Sequence, residues 1–203
     1  MNQFVSRGGI KLQHAIENFK LKIKNFSCLD VGSSTGGFVD CLLQNGAAKI
    51  YSVDTSYGEL AWKLRNDPRV VVMERTNILH LPHLEGGSEN TLDGGEVDKV
   101  DLITIDAGWT KLELVLPVVR KFLKKDGIII ALLKPQYEAF EQQRVKGVVK
   151  DEELEEVVNS VKDKIHNLSF NIVNSIESPI LGSGGNREYL LLISDVRNSN
   201  SEI

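Results

Sequence analysis

The hydrophobic residues of this chain recur in two alternating patterns. Short apolar runs, typical of strands, alternate with segments whose apolar residues lie three or four positions apart, as on one face of a helix. The apolar runs predict seven strands, at 26–31, 49–54, 70–73, 99–106, 128–133, 170–176 and 188–194. The helical spacing predicts five helices, at 7–20, 37–44, 58–65, 111–124 and 152–166.

This alternation predicts one α/β domain over residues 1–203, with a seven-stranded, mostly parallel, Rossmann-like sheet and helices on both faces. The last two predicted strands are joined by a glycine-rich connection and no helix, which predicts an antiparallel hairpin at one edge. Three other stretches are predicted to be irregular. They are two candidate lids, at 85–96 and 134–149, and a frayed tail at 195–203.

A glycine-rich turn follows the first predicted strand. The strand ends near Asp30, and Gly32, Gly36 and Gly37 precede a helical pattern that starts near Phe38. The spacing is not G-x-G-x-x-G, so a dinucleotide pyrophosphate is disfavoured, and the acid would repel one. A carboxylate here suits a cationic ligand such as S-adenosylmethionine (SAM), which carries an ammonium and a sulfonium. A packed turn with no ligand is the alternative.

Polar residues also follow the other predicted parallel strands, namely Asp54, Asn77, Asp106 and Lys134. Because the carboxyl ends of parallel strands meet at one edge of a sheet, we expect these side chains to line a common site. Asp54 is predicted to hold a ribose diol, and Asn77 either an adenine edge or its own loop. The predicted cofactor-binding residues are Asp30, Gly32, Ser33, Ser34, Gly36, Gly37, Phe38, Asp54, Asn77 and Asp106.

The charge balance limits the kinds of partner. The net charge of −4 and the pI near 5.6 argue against a broadly basic nucleic-acid binder, so any RNA contact must be a local patch. Tyr57 or Trp62 is a candidate for the wall of an adenine slot, although Trp62 is more often a core residue. The candidate patch consists of Arg7, Lys111, Arg144, Lys146 and Lys150.

The sequence also bears on location. It contains no run of 18 apolar residues and no signal-peptide core, so neither a membrane span nor export is predicted. Cys28 and Cys41 lack C-x-x-C spacing and are interpreted as reduced core residues, with no zinc or disulfide. These features favour a cytoplasmic protein without a metal. The oligomeric state is not indicated.

Several blocks of the sequence resemble the TlyA family, whose members are FtsJ-like SAM-dependent methyltransferases often labelled haemolysin A. The most specific blocks are Ser-Arg-Gly-Gly-Ile-Lys-Leu at 6–12 and Lys-Pro-Gln-Tyr-Glu at 134–138. The resemblance extends from residue 4 to about residue 193. The other blocks lie at 29–42, 67–70, 74–77 and 185–188.

The resemblance implies a Rossmann-like SAM methyltransferase fold and 2′-O-methylation of a ribose in ribosomal RNA or a ribosomal subunit. It places a catalytic tetrad on Lys11, Asp106, Lys134 and Glu188. Lys134 is the expected base, which requires a pKa well below the usual value of about 10.4. Asp106 would position Lys134, and Glu188 would hold the lysines together. The alternatives are a solvated Lys11, a helix cap at Asp106 and a surface acid at Glu188.

Two departures from the family leave other functions open. The family usually begins with a basic S4-type RNA-binding domain, whereas this sequence starts at the methyltransferase core. The residues after Asp106 are Ala107, Gly108 and Trp109, where the family usually has Val-Ser-Phe. The alternatives are a SAM-binding assembly or interaction module without catalysis, and a methyltransferase for a non-RNA substrate. A pore-forming haemolysin is disfavoured because no segment is membrane-active.

Overall fold

The computed structural model describes residues 3–81 and 97–198. The predicted loop at 85–96 and the end of the predicted tail, 199–203, lie outside these residues. The helices are α1 (Gly8–Asn18), α2 (Gly37–Gln44), α3 (Trp62–Arg65), α4 (Leu112–Val119), α5 (Pro135–Glu138) and α6 (Asp151–Asn167). The strands are β1 (Ser27–Val31), β2 (Lys49–Val53), β3 (Val70–Met73), β4 (Val100–Ile105), β5 (Leu123–Leu133), β6 (Arg144–Val145), β7 (Val148–Val149), β8 (Phe170–Glu177) and β9 (Tyr189–Asp195).

Seven of these strands form one sheet in the order β3-β2-β1-β4-β5-β9-β8. The first five are parallel, and β9 runs antiparallel to both β5 and β8. The predicted fold class, including the antiparallel hairpin at one edge, is therefore confirmed. The strand order reverses between β1 and β4, and ligands of open α/β sheets bind outside the carboxyl ends of the strands at such a point.

Helices cover both faces of the sheet because the side chains of each strand alternate between the two faces. On β1, Cys28 joins the apolar cluster that contains Leu12 of α1 and Leu42 of α2. The next residue, Leu29, joins the opposite cluster, which contains residues of α4 and α6 such as Val115. Cys28 and Cys41 are both reduced and buried, as predicted for core residues.

The helix predicted at 58–65 is wrong over its first half. Gly58 has a φ of +76°, which is outside the helical region, and Ala61 is extended, so only the single turn of α3 forms. Trp62 is 77% exposed and does not belong to the core. The apolar spacing misled here because the backbone is non-helical at Gly58 and still extended at Ala61, although Leu60 and Leu64 are both buried.

The helix predicted at 111–124 also extends too far. α4 ends at Val119 and is followed by a 3₁₀ turn, and β5 begins at Leu123, five residues before the strand predicted at 128–133. The segment 134–149 is more ordered than expected, since it contains α5 and the β6–β7 hairpin. Asp195, predicted to begin a frayed tail, is buried in β9 and lies 2.8 Å from the guanidinium of Arg120. No helix of the described residues is long and apolar enough to cross a bilayer.

Candidate functional site

Two adjoining cavities lie at the carboxyl ends of the parallel strands. The first is lined by the start of α1 and by the glycine turn, including Lys11 and Phe38. The second, of about 460 Å³, extends over the ends of β2, β3 and β5. The two share Gly32, Ser34 and Asp106 in their linings. The edge of the sheet that carries Asp54, Asn77, Asp106 and Lys134 is therefore concave, whereas Asp30 is fully buried and lines neither cavity.

The glycine turn is shaped by close backbone contacts. Gly32 has a φ of +85°, and a Cβ at this position would lie 2.7 Å from the carbonyl oxygen of Asp106. A Cβ on Gly37 would overlap the hydroxyl of Ser6 and lie 2.9 Å from the amide of Gly9. The absence of side chains lets the start of α1 pack directly on α2, which brings Lys11 to the first cavity.

Asp30, near the end of β1, is fully buried and only half satisfied. Its Oδ1 accepts a hydrogen bond from the hydroxyl of Thr104 at 2.5 Å, whereas Oδ2 has no hydrogen-bond partner among the described residues. Burial, aided by the nearby carboxylates of Asp106 and Asp54, raises the pKa of this carboxyl group to about 7, against the lowering effect of the Thr104 and Ser33 hydroxyls. A buried acceptor without a donor is costly, and a ligand donor would relieve that cost.

Asp54, after β2, accepts hydrogen bonds from the loops around it. Its Oδ2 accepts the amide N–H of Ser34 at 2.7 Å, and its Oδ1 accepts the amide and hydroxyl of Ser56 at 2.8 and 2.7 Å. Burial acts to raise its pKa, but these hydrogen bonds outweigh burial and hold the pKa below its usual value. Asp54 is thus an ionised acceptor in the lining of the second cavity.

Asn77 lies in the same lining, next to Ile78. Its Oδ1 accepts the amide of Leu79 at 3.0 Å and so caps a short 3₁₀ turn. The side-chain amide N–H groups have no partner among the described residues, so Asn77 can cap this turn and still donate a hydrogen bond to a ligand. Tyr57 and Trp62 line a separate, shallow surface pocket and do not line this cavity.

Lys134 and Asp106 form an ion pair between the ends of β5 and β4. Lys134 Nζ lies 2.7 Å from Asp106 Oδ1, and the two side chains are 16% and 23% exposed. The same ammonium lies 5.7 Å from the ring centroid of Tyr137. Both members of the pair line the second cavity, where they remain accessible to a ligand.

Lys11 and Glu188 form a second, more deeply buried ion pair. Lys11 Nζ donates to Glu188 Oε2, and the side chains are only 10% and 2% exposed. Antiparallel pairing of Leu133 with Tyr189 places Glu188 beside Lys134 in the register of β5 and β9. The four residues of the predicted tetrad are therefore arranged as two lysine–carboxylate pairs, and Lys11 and Asp106 line the same cavity.

Three features of the site are not apparent from the sequence pattern. Thr104 lies within a predicted strand and was not a candidate, although it hydrogen-bonds to Asp30. Glu138 is buried and accepts the amide of Leu112 at 2.9 Å, which fixes the start of α4 beside the loop after β4. Trp109 is 86% exposed and lies 5.1 Å, centroid to centroid, from Tyr137. The signals in the sequence were the position of Glu138 in the Lys-Pro-Gln-Tyr-Glu block and the departure from the family pattern at Trp109.

The residues of the predicted basic patch lie on separate elements around the carboxyl edge of the sheet, which we call the rim. Arg7 lines the first cavity, and the ammonium of Lys111 lies 5.9 Å from the ring centroid of Phe140. Arg144, Lys146 and Lys150 belong to the β6–β7 hairpin or border it. Arg144 donates to the backbone carbonyl of Gln136 at 3.0 Å, so part of its donor capacity supports the loop after β5.

The sheet order, with five parallel strands and an antiparallel edge pair, defines a Rossmann-like fold that is shared with methyltransferases of known structure. The family model described as FtsJ-like methyltransferase matches residues 4–194, and the chain belongs to this family. The resemblance predicted from the motifs is thereby confirmed at the level of the family.

Individual relatives agree with this assignment. YqxC of Bacillus subtilis is 41% identical over 93% of this chain, and the match covers 65% of that protein. The 16S/23S rRNA (cytidine-2'-O)-methyltransferase TlyA of Mycobacterium tuberculosis is 41% identical, covering 93% of this chain and 67% of the relative. A solved Lactococcus lactis protein that carries the haemolysin label has a TM-score of 0.85 at 38% identity, with 98% and 92% of the two chains covered. The chain thus spans about two thirds of the length of the curated relatives it matches first.

Proposed function

We propose that this chain is a SAM-dependent RNA methyltransferase that methylates a ribose 2′-hydroxyl of ribosomal RNA. The observation that carries the proposal is the pair of lysine–carboxylate contacts at the cavities that the glycine turn also lines. Membership of the FtsJ-like family supports the reaction class. Residues 4–194 would act as one methyltransferase domain that holds both the cofactor and the catalytic groups.

The described residues fit SAM on both sides of the glycine turn. The unpaired Oδ2 of Asp30 would accept the ammonium, and Gly32 and Ser34 of the turn line both cavities, where the methionine part would lie. Asp54 and Asn77 both line the second cavity, where Asp54 would accept the ribose hydroxyls and the side-chain amide of Asn77 would face the adenine. When bound, SAM supplies an electrophilic methyl group and leaves as a neutral thioether.

The chain's own task is to move one proton and to align the reacting groups. The 2′-hydroxyl oxygen forms a bond to the methyl carbon as the carbon–sulfur bond breaks, and the hydroxyl proton passes to Nζ of Lys134 in its neutral form. Asp106, 2.7 Å away, orients Nζ and stabilises the ammonium that results. The buried pair of Lys11 and Glu188 holds the start of α1 against β9, which fixes one wall of the site. Alignment supplies a large part of the rate.

The substrate assignment rests on the relatives and on one surface feature. TlyA of M. tuberculosis is named as a 16S/23S rRNA methyltransferase, which supports ribosomal RNA and a cytoplasmic location for this chain. Trp109, Tyr137 and Phe140 provide exposed or partly exposed rings close to Lys134 and Lys111. Bases of single-stranded RNA stack on such rings. We propose that Trp109 receives the base of the target nucleotide.

Transfer of the tritiated methyl group from SAM to ribosomal subunits tests the proposal. We expect label in RNA that is lost after ribonuclease treatment, and abolished by Lys134→Met but not by Lys121→Met, which changes an exposed lysine outside the rim. Label that survives ribonuclease would favour a non-RNA substrate. Cofactor binding with no transfer to any RNA would favour a binding module without catalysis and would overturn the enzymatic proposal.

A further inference from the structure

Thr104 lies within β4, is fully buried and is the direct register partner of Asp30 on β1. In a parallel sheet, register partners on neighbouring strands project from the same face. The Thr104 hydroxyl donates to Asp30 Oδ1 at 2.5 Å, so this oxygen is satisfied within the sheet. The other oxygen, Oδ2, is buried and has no hydrogen-bond partner among the described residues.

None of the charged groups around Asp30 stabilises its carboxylate. Asp106 after β4 and Asp54 after β2 are negative when ionised and act against the Asp30 carboxylate. Cys28 on its own strand and Cys41 of α2 are buried thiols whose pKa values are raised to about 12, by burial first and also by Asp30, so they stay neutral.

The two lysines of the rim are each engaged with another carboxylate. Lys11 pairs with Glu188, and Lys134 pairs with Asp106. Among the described residues, no lysine or arginine forms an ion pair with Asp30. An ionised Asp30 therefore needs a positive group from outside the chain, and a ligand ammonium has the right charge and donors.

We propose that Thr104 is a positioning residue for the cofactor: by holding one oxygen of Asp30, it presents the other to the ammonium of the bound methionine moiety. This inference rests on the proposed function, because it requires that the cavity bind SAM. Thr104 is fully buried and its hydroxyl is directed to Asp30, so it would act through Asp30 and not on the reacting atoms. Its hydroxyl also favours the ionised form of Asp30, which is the form that attracts an ammonium.

The consequence is a dependence of cofactor affinity on pH. Burial raises the pKa of Asp30 to about 7, so below neutrality the carboxyl is protonated and attracts the ammonium poorly. If binding requires the ionised form, affinity falls about tenfold per pH unit well below that pKa. Removing the hydroxyl of Thr104 raises the pKa further and moves the whole profile to higher pH.

Calorimetric titration with S-adenosylhomocysteine between pH 5.5 and 8.5 tests this, because the ammonium of that probe stays charged over the range. For the wild type we expect Kd to rise about tenfold from pH 8 to pH 6. Thr104→Val is a nearly isosteric change that we expect to raise the pKa of Asp30 by about 1. Binding should then be roughly fivefold weaker than that of the wild type at pH 7 and within about twofold of it at pH 8.5. Thr104→Ser keeps the hydroxyl and is expected to restore the wild-type profile.

The outcomes separate the two proposals. Wild-type protein that binds no S-adenosylhomocysteine at any pH would overturn the proposed function and this inference with it. Two results would overturn the inference alone, provided that the wild type binds. One is an affinity of Thr104→Val at pH 7 equal to that of the wild type. The other is a loss of affinity in Thr104→Val that is the same at every pH, because a merely structural role gives a pH-independent loss. Circular dichroism confirms folding. If Thr104→Val does not fold, Thr104→Ala is measured in its place against the same criteria.

Discussion

Lys134 Nζ lies 2.7 Å from Asp106 Oδ1, across the carboxyl ends of two neighbouring parallel strands. Neither side chain is fully buried, so the pair can exchange one partner for another when a hydroxyl enters the cavity. A pair of this kind holds an amine at the cavity wall, within reach of a bound hydroxyl.

Replacing Lys134 with Met should abolish methyl transfer and leave the fold intact. Loss of a general base reduces the rate by at least about 100-fold, whereas the affinity for S-adenosylhomocysteine should stay within about threefold of the wild type. Single-turnover transfer and calorimetric binding measure the two effects. Lys121→Met, which changes an exposed lysine on the turn after α4, is the control. Full activity in Lys134→Met would rule out Lys134 as the base.

Breaking the pair of Lys11 and Glu188 should destabilise the protein strongly. The two side chains are 10% and 2% exposed, so Glu188→Ala leaves a buried ammonium without its partner. Such losses cost roughly 3–5 kcal/mol in the free energy of unfolding, and replacing both residues with apolar ones costs much less. Urea unfolding of Glu188→Ala measures this loss, and Glu188→Leu, Lys11→Met and their double variant measure the coupling.

The matched control for that experiment is the surface pair of Arg187 and Glu177, whose side chains are 47% and 44% exposed. Glu177→Ala should change the free energy of unfolding by less than about 1 kcal/mol, because solvent screens an exposed pair. Equal effects of Glu188→Ala and Glu177→Ala would show that the Lys11–Glu188 contact is not sheltered from water in solution.

Asp30 should make the ligand-free protein less stable as the pH rises. Its pKa is raised from 3.8 to about 7 in the folded state. The stability that its protonation contributes is therefore fully present below about pH 3.8 and is lost as the pH rises through 7. Asp30→Asn lacks this titration, so its stability relative to the wild type should increase by a few kcal/mol between pH 4 and pH 8.

Thermal unfolding at several pH values measures this, and Asp98→Asn provides a contrast of opposite sign. Hydrogen bonds from Tyr51 and Lys49 lower the pKa of Asp98, so its ionised form stabilises the folded state above the usual pKa. Its replacement should therefore become more harmful, not less, as the pH rises. If the stability difference between Asp30→Asn and the wild type did not vary with pH, the description of Asp30 as a buried carboxyl group with one unpaired oxygen would be wrong.

Replacing Trp109 with Ala should weaken RNA binding without unfolding the protein. The ring is 86% exposed and contacts Tyr137, so little core packing is lost. Loss of one base-stacking surface costs roughly 1–3 kcal/mol, which corresponds to a KM for RNA about 5–150-fold higher. Trp109→Phe should retain most of the affinity.

Trp62→Ala is the matched control for this prediction, because Trp62 is similarly exposed, at 77%, but lies on the separate surface beside α3. It should leave the KM for RNA within about twofold of the wild type. If Trp62→Ala raised the KM as much as Trp109→Ala, the stacking role would not be specific to the rim next to Lys134.

Local patterns in the sequence predicted most of the fold. The bounds of α2, 37–44, and β3, 70–73, agree with the predicted ones, because a clean apolar pattern bounded by glycine or proline leaves little choice. The pattern failed where backbone conformation or sheet pairing decided the outcome. Gly58 delays α3, and Leu123 enters β5 early because it pairs with Val100 of β4.

The sequence by itself determined which residue types stand at the ends of the parallel strands, and hence that Asp30, Asp54, Asp106 and Lys134 meet at one edge. Only the tertiary structure decided which groups pair there. Lys11 and Glu188 are 177 positions apart, and their contact arises because α1 packs on α2 through Gly37 while β9 inserts beside β5. The same holds for Thr104 and Asp30, whose contact is set by strand register. The hydrophobic periodicity of a sequence predicts which face of a helix or strand a residue occupies, whereas strand register and close packing determine which atoms it contacts.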